Sequence, residues 1–300
     1  MSTVKALINS MRLRTLPLSL AGVVCGGLLA MGVLGPNGNW WAFALVLLTA
    51  CALQILSNLS NEMGDHLSGV DGEGREGPNY SMTDGGLTEK QMWYAINAFV
   101  VLCCLSGLAM VIVAGSPWWL LLLGAAAIWA STHYTLGKKP YGYIGLGDLF
   151  VFLFFGIVSV MGSFFVLVHQ IHWYYFLPAA GIGLLSVAVL NVNNIRDVAS
   201  DEGIRRTVPL RIGVRGAKWY QTILVSAGWL LTAGSYYGIA TGGWLVLCTL
   251  PLFVWHIVGV WRREGKQLDS MLPLLVMSTF LLSLFYSLGA FLLLYGIRLQ

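Results

Sequence analysis

Apolar residues along this chain come in long runs broken by short polar segments. Nine runs stand out, at roughly 16–34, 40–60, 92–114, 117–136, 144–168, 173–195, 219–239, 243–261 and 271–296. Each reaches or nears the roughly 20 residues that cross a bilayer as a helix. Backbone polar groups find no water in hydrocarbon and must pair within their own segment, so helix is the expected form. Trp and Tyr cluster at several run ends, as in Trp40-Trp41, Trp118-Trp119 and Trp173-Tyr174-Tyr175, which suits an interfacial belt. The pattern predicts an all-α polytopic membrane protein of about nine transmembrane helices, forming one domain over 1–300. The first run is too long for the apolar core of a cleavable signal peptide and lacks a small-residue cleavage site, so it reads as a retained helix.

Composition agrees. Of 300 residues, 57% are hydrophobic and 10% charged, and mean hydropathy is +0.74. Soluble domains carry about 25% charge, so a soluble globular reading is excluded. The five cysteines all lie inside apolar runs with no metal or redox spacing, and read as small packing residues.

Net charge is only +4, but its distribution is informative. Lys5, Arg12 and Arg14 precede the first run; Arg75 and Lys90 lie in the second polar loop, Lys138 and Lys139 in the fourth. Arg196, Arg205, Arg206, Arg211, Arg215 and Lys218 lie in the sixth, and Arg262, Arg263 and Lys266 in the eighth. Sixteen of the 17 basic residues therefore share one face, with Arg298 alone on the other. The positive-inside rule puts that face and the amino terminus in the cytoplasm, and the carboxyl terminus across the membrane. All 13 acidic residues lie on or beside the same face. Acids count little in that rule, so their gathering marks where the chemistry is. Nothing in the distribution calls for a nucleic-acid partner; the expected partner is the lipid bilayer.

Two acidic motifs stand out. Asn61-x3-Asp65-x5-Asp71 follows the second run, and Asn193-x3-Asp197-x3-Asp201 follows the sixth. Residues at i, i+4 and i+8 share a helix face, so Asn193, Asp197 and Asp201 line up at a helix end. Asn61 and Asp65 do likewise, with Gly69 allowing a bend before Asp71. The motifs lie four helices apart, which implies two related halves, roughly 12–136 and 144–261, plus a ninth helix around a central cavity. If the halves face each other, the carboxylates repel unless cations sit between them. Oxygen ligands without His or Cys fit Mg²⁺, which commonly binds a few carboxylates together with substrate phosphates. Two such clusters imply a diphosphate between them. Basic residues on the same face, Arg75, Lys138, Lys139, Arg205 and Arg206, are candidates for phosphate oxygens. Tyr134, four residues before Lys138, opens a Gly- and Pro-rich turn through Tyr143 that reads as a shaped loop.

At these residues the chain resembles the UbiA superfamily of intramembrane aromatic prenyltransferases. Within it, the branch that prenylates 1,4-dihydroxy-2-naphthoate in menaquinone synthesis is most similar. The resemblance covers most of the chain: Arg12-Leu-Arg14-Thr15-Leu16-Pro17 before the first helix, Asn58-Leu-Ser-Asn61…Asp65…Asp71, Pro140-Tyr-Gly-Tyr-Ile-Gly-Leu-Gly147-Asp148, Leu190-Asn-Val-Asn-Asn-Ile-Arg-Asp197…Asp201, and Thr207…Leu210-Arg211-Ile-Gly213. The chain departs from the branch at Leu13, Tyr80 and Thr83.

The resemblance implies Mg²⁺ on Asp65, Asp71, Asp197 and Asp201, assisted by Asn61 and Asn193, against a polyprenyl diphosphate. Lys138, Arg75 or Arg205 then stabilise the leaving diphosphate, with Lys139 and Arg14 among the substrate-binding residues. An electron-rich aromatic acceptor attacks the allylic cation, which Tyr134 and Phe152 shelter. Asp148 either orients Lys138 or the acceptor, or caps the fifth helix. The implied location is the inner membrane of a bacterium. Other acceptors within the superfamily, 4-hydroxybenzoate or homogentisate, form the alternative. A transporter is the alternative outside enzymes, although its acids belong near the bilayer midplane rather than at one edge.

Overall fold

The structure is a computed structural model that describes residues 3–69, 81–82, 86–235 and 244–299. Among these residues there is no strand; ten helices carry the fold. A short α1 (Thr3–Ser10) leads into α2 (Leu16–Leu34), α3 (Trp40–Ser68), α4 (Glu89–Ala114) and α5 (Leu120–His133). These are followed by α6 (Gly147–Val168), α7 (Phe176–Arg196), α8 (Val208–Ala233), α9 (Trp244–Trp261) and α10 (Met271–Leu299).

Local chemistry sets several ends. Asn39 caps α3 by accepting the Ala42 N–H at 3.0 Å, and Thr88 forms a reciprocal capping box with Gln91 at the start of α4. Pro17 and Pro209 occupy first turns, where no backbone N–H is required. At the other end of α3, Gly69 takes a left-handed conformation (φ 75°) and its N–H closes on the carbonyls of Asp65 and His66. The bend expected at Gly69 is therefore the helix stop itself.

Each of the nine apolar runs contains a helix, but nine spans are not what the described residues show. Seven helices are long and apolar enough to cross a membrane. α5 has 14 residues, roughly 21 Å at 1.5 Å per residue, short of the hydrocarbon thickness. α8 carries Arg211, Arg215 and Lys218 in its first half, so only its second half is apolar.

The most extensive packing joins α2 to α10, α7 to α8, α3 to α4 and α6 to α7. The middle of α6, Phe152–Gly162, is wound as a π-helix, and its Gly156 crosses α7 without a side chain between the backbones. A Cβ there would lie 2.6 Å from the Ala179 carbonyl oxygen and 2.6 Å from Gly183 Cα. Gly124 on α5, by contrast, has nothing within 4 Å of an added Cβ. Gly156→Leu is expected to destabilise the protein by about 3 kcal/mol or more, whereas Gly124→Ala stays within about 1 kcal/mol. Thermal melts in detergent check this; equal melting temperatures for the two variants would contradict the tight crossing.

Candidate active site

The polar ends of α3, α5 and α7 meet at one end of the bundle. Asp65 lies on the last turn of α3 and is 5% exposed. Asn61, one turn earlier, accepts from Thr135 Oγ1 at 3.3 Å; the same hydroxyl donates to the Ser60 carbonyl at 3.0 Å, fixing α3 against the loop after α5. That loop folds back on itself through Tyr141 N–H to the His133 carbonyl and Gly142 N–H to the Tyr134 carbonyl.

The second motif keeps its helical register past the end of α7. Asp197 N–H donates to the Asn193 carbonyl at 3.0 Å and Asp201 N–H to the Asp197 carbonyl at 2.9 Å, through the single turn Val198–Asp201. The expected alignment of Asn193, Asp197 and Asp201 is thus present in the backbone. The side chains take different partners. Asp197 is gripped by Arg196 Nε and Nη2 at 2.8 and 2.6 Å, and Arg196 Nη1 donates to Asp269 at 2.6 Å. Asp201 is 1% exposed and pairs with Arg205, one turn on, at 3.4 Å.

Arg205 joins the two motifs. Its guanidinium pairs with Asp65 Oδ1 as well as with Asp201, and lies 4.8 Å from the centroid of the Tyr143 ring. Tyr143 Oη donates to Asp65 Oδ1 at 3.0 Å and lies 2.8 Å from Ser68 Oγ. The Arg206 N–H donates to the Tyr143 carbonyl at 3.0 Å, which pins the two loops together. Burial disfavours a charged Arg205, but the carboxylates of Asp65 and Asp201 outweigh it and hold the guanidinium firmly protonated. The Tyr143 hydroxyl is pushed up by burial and then by the neighbouring Asp65 charge, so it remains a donor.

Below this cluster lies a cavity of about 600 Å³, within the size range of ligand sites. Asn58, Asn61, Ser131 and Tyr134 line it toward the polar end, and Tyr141, Phe150, Phe154 and Phe155 supply aromatic wall. Tyr134 and Leu190 also border a small polar cleft with Asp148, Asn194, Arg206 and Thr207, so they stand between the apolar and polar compartments. Asp148 sits in the first turn of α6 and accepts from Tyr220 of α8 at 3.0 Å.

Other expected residues are placed elsewhere. Lys138 and Lys139 are exposed on the turn between α5 and α6, and Arg14 is exposed ahead of α2. Asn193 is half-buried. Asp71 and Arg75 lie outside the described residues. Phe152 packs against Gly183 of α7 rather than lining the cavity; a Cβ on Gly183 would meet its ring at 2.8 Å. His256 is buried and bonded to Gln221 and the Met271 carbonyl, consistent with a structural residue. Tyr143, Ser68, Thr135 and Asn194 were not singled out by sequence. Tyr143 stands within the Gly- and Pro-rich loop, which is the signal that pointed nearest to it.

No cluster of three or more His, Cys, Asp or Glu residues suited to a metal occurs among the described residues. Asp65 and Asp201 nevertheless already share one cation, the guanidinium. Two oxygen-donor carboxylates on a common cation fit a Mg²⁺ that takes its other ligands from water and substrate phosphate.

The site is thus a charged cluster beside an apolar cavity, within a bundle of helices long and apolar enough to cross a membrane. The pattern of the UbiA prenyltransferase family matches residues 19–285, and the chain belongs to that family. It is 39% identical to a 1,4-dihydroxy-2-naphthoate octaprenyltransferase of Escherichia coli, over 97% of this chain and 96% of that relative. It is 35% identical to one from Haemophilus influenzae, over 93% of each. The fold is similar to that of a UbiA homologue from Archaeoglobus fulgidus described as bound to DMAPP and Mg²⁺. That likeness has a TM-score of 0.67 at 15% identity and covers 97% of this chain and 99% of the other.

Proposed function

We propose that this enzyme transfers a polyprenyl group from a polyprenyl diphosphate to 1,4-dihydroxy-2-naphthoate, with loss of CO₂ and diphosphate, giving demethylmenaquinol, the diol whose later oxidation yields demethylmenaquinone. The observation that carries the reading is the pairing of Asp65 and Asp201, one from each acidic motif, on a single cation, Arg205, which lines the polar cleft that shares Tyr134 and Leu190 with the apolar cavity. The names of the two bacterial relatives support the naphthoate as acceptor.

In this reading the halves 12–136 and 144–261 contribute one motif each. Asp65 and Asp201, with Asp71 and Asp197 and with Asn61 and Asn193 assisting, would hold Mg²⁺ together with the diphosphate. Asp197 would join while Arg196 still neutralises part of its charge. Bound Mg²⁺ supplies Lewis-acid stabilisation of charge on the departing diphosphate. Arg205, Lys138, Lys139, Arg75 and Arg14 offer further cationic donors to its oxygens. The allylic C–O bond breaks and its electron pair leaves with diphosphate. Tyr134 and the cavity aromatics border the cation that results. The ring carbon bearing the carboxylate attacks, forming the new C–C bond; the carboxyl C–C bond then breaks, returning its electron pair to the ring. Asp148, in the polar cleft behind Tyr134, orients the acceptor. The protein lies in the bacterial inner membrane, with the amino terminus and the acidic loops cytoplasmic and the carboxyl terminus opposite.

A panel of acceptors tests this. With geranyl diphosphate and Mg²⁺, the naphthoate is expected to turn over at least about 100-fold faster than 4-hydroxybenzoate or homogentisate. Faster turnover of either of those would replace the acceptor assignment.

A further inference from the structure

The placement of Arg205 has a consequence beyond phosphate binding. Asp65 and Asp201 are 136 residues apart in sequence, lie on different helices and are almost fully buried. Two buried carboxylates brought together repel, and both stay ionised only if a cation answers them. In this protein that cation is a side chain. The guanidinium is a planar fork able to engage two carboxylates at once, which a lysine ammonium does far less well. Its fit is detailed: one edge on Asp65, Nε toward Asp201, and its carbon 4.8 Å from the centroid of the Tyr143 ring. Its backbone is held too, by Arg205 N–H to the Asp201 carbonyl at 3.0 Å and by the adjacent Arg206 N–H to Tyr143.

We propose that Arg205 is a resident counter-cation: it holds Asp65 and Asp201 together in the metal-free protein, competes with a divalent cation for them, and is released toward diphosphate oxygens when metal and substrate arrive. The inference rests on the metal-binding role proposed for these carboxylates. It assigns Arg205 a positioning role that precedes substrate. Metal alone therefore binds weakly, because it must displace an ion pair. Metal together with diphosphate binds well, because the displaced guanidinium gains a new anion. The arrangement couples metal occupancy to the presence of substrate.

The test uses Mn²⁺ as the metal, read by the electron paramagnetic resonance signal of the free ion, on full-length protein in detergent. Wild type, Arg205→Gln and Arg205→Lys are titrated with Mn²⁺ alone and with Mn²⁺ plus inorganic pyrophosphate. Arg205→Gln is expected to bind Mn²⁺ alone at least about tenfold more tightly than wild type, and to lose most of the gain that pyrophosphate gives wild type. Arg205→Lys, which keeps the charge but not the two-carboxylate fork, is expected to fall between them. A purely structural role predicts a lower metal-free melting temperature with unchanged or weaker Mn²⁺ binding in both variants, and that result overturns the inference. Wild type that binds no Mn²⁺ even with pyrophosphate removes the metal assignment itself. Wild type that binds with pyrophosphate, beside variants no tighter toward Mn²⁺ alone, removes only the role given to Arg205.

Discussion

Alanine at Asp65 or at Asp201 is expected to lower prenyl transfer at least about 1,000-fold, the largest effect of any single replacement in this chain. Removing one well-placed electrostatic group from a reacting centre commonly costs 100- to 1,000-fold. Here each carboxylate also helps place the proposed metal, so the upper end applies. The loss has a structural component that needs separating. Arg205 is itself largely buried, and removing one partner of a buried pair is destabilising. Asp65→Asn separates the two. It keeps the volume and an oxygen to accept the 3.0 Å bond from Tyr143, while removing the charge. Initial rates with geranyl diphosphate, beside a melting curve for each variant, read both quantities. Asp65→Asn is expected to melt close to wild type and still lose at least about 100-fold in rate. Near-wild-type rates in folded Asp65→Ala and Asp201→Ala would end the assignment of these carboxylates to the reacting centre.

The second large effect concerns the length of the isoprenoid. Gly107 on α4 and Gly124 on α5 both border the cavity, and an added Cβ at either would touch nothing within 4 Å. Both lie toward the end of the bundle opposite the acidic site. From Tyr134 at the rim to Gly124 is ten residues, roughly 15 Å along the helix. A long side chain at Gly107 therefore enters free space and fills the cavity far from the chemistry. Gly107→Phe is expected to fold and to turn over geranyl diphosphate within about threefold of wild type, while turnover of octaprenyl diphosphate falls at least about 50-fold. Rates measured with both donors on one preparation decide it. An equal fall with both, or no fall with the longer one, would mean that the tail does not occupy this cavity.

What was legible in the sequence follows from which interactions are local. Helices α3 and α7 could be read because apolar runs of spanning length are decided by composition over twenty residues. The alignment of Asn193, Asp197 and Asp201 could be read because helix spacing is a local geometric constant, and the backbone bonds keep it even where α7 ends. The fate of the side chains could not. Asp197 turns to its neighbour Arg196 because Asp269, 72 residues further on, helps hold that guanidinium in place. Tyr143 and Arg205 meet only because two loops fold over the end of α3, a tertiary contact with no periodicity to announce it. Lys138 and Lys139 stand exposed on their turn, and how far their side chains reach is set by the fold rather than by local spacing. Phe152 was drawn away from the cavity by the room Gly183 leaves on α7. Seven rather than nine of the described helices reach spanning length for a similar reason. The run at 117–136 includes turn residues beyond His133, so its helix is shorter than its apolar stretch.

The central claim is that Asp65 and Asp201 serve the metal-assisted prenylation of a naphthoate with loss of its carboxyl group. Its most direct test is one incubation of the purified protein with octaprenyl diphosphate, Mg²⁺ and 1,4-dihydroxy-2-naphthoate labelled with ¹³C in the carboxyl group, followed by mass analysis. The expected result is an octaprenylated naphthalene-diol, or the quinone it oxidises to, without the label, one ¹³CO₂ per product, and neither when Mg²⁺ is withheld. A prenylated product that retains the label, or label-free product formed at the same rate without divalent metal, would contradict it.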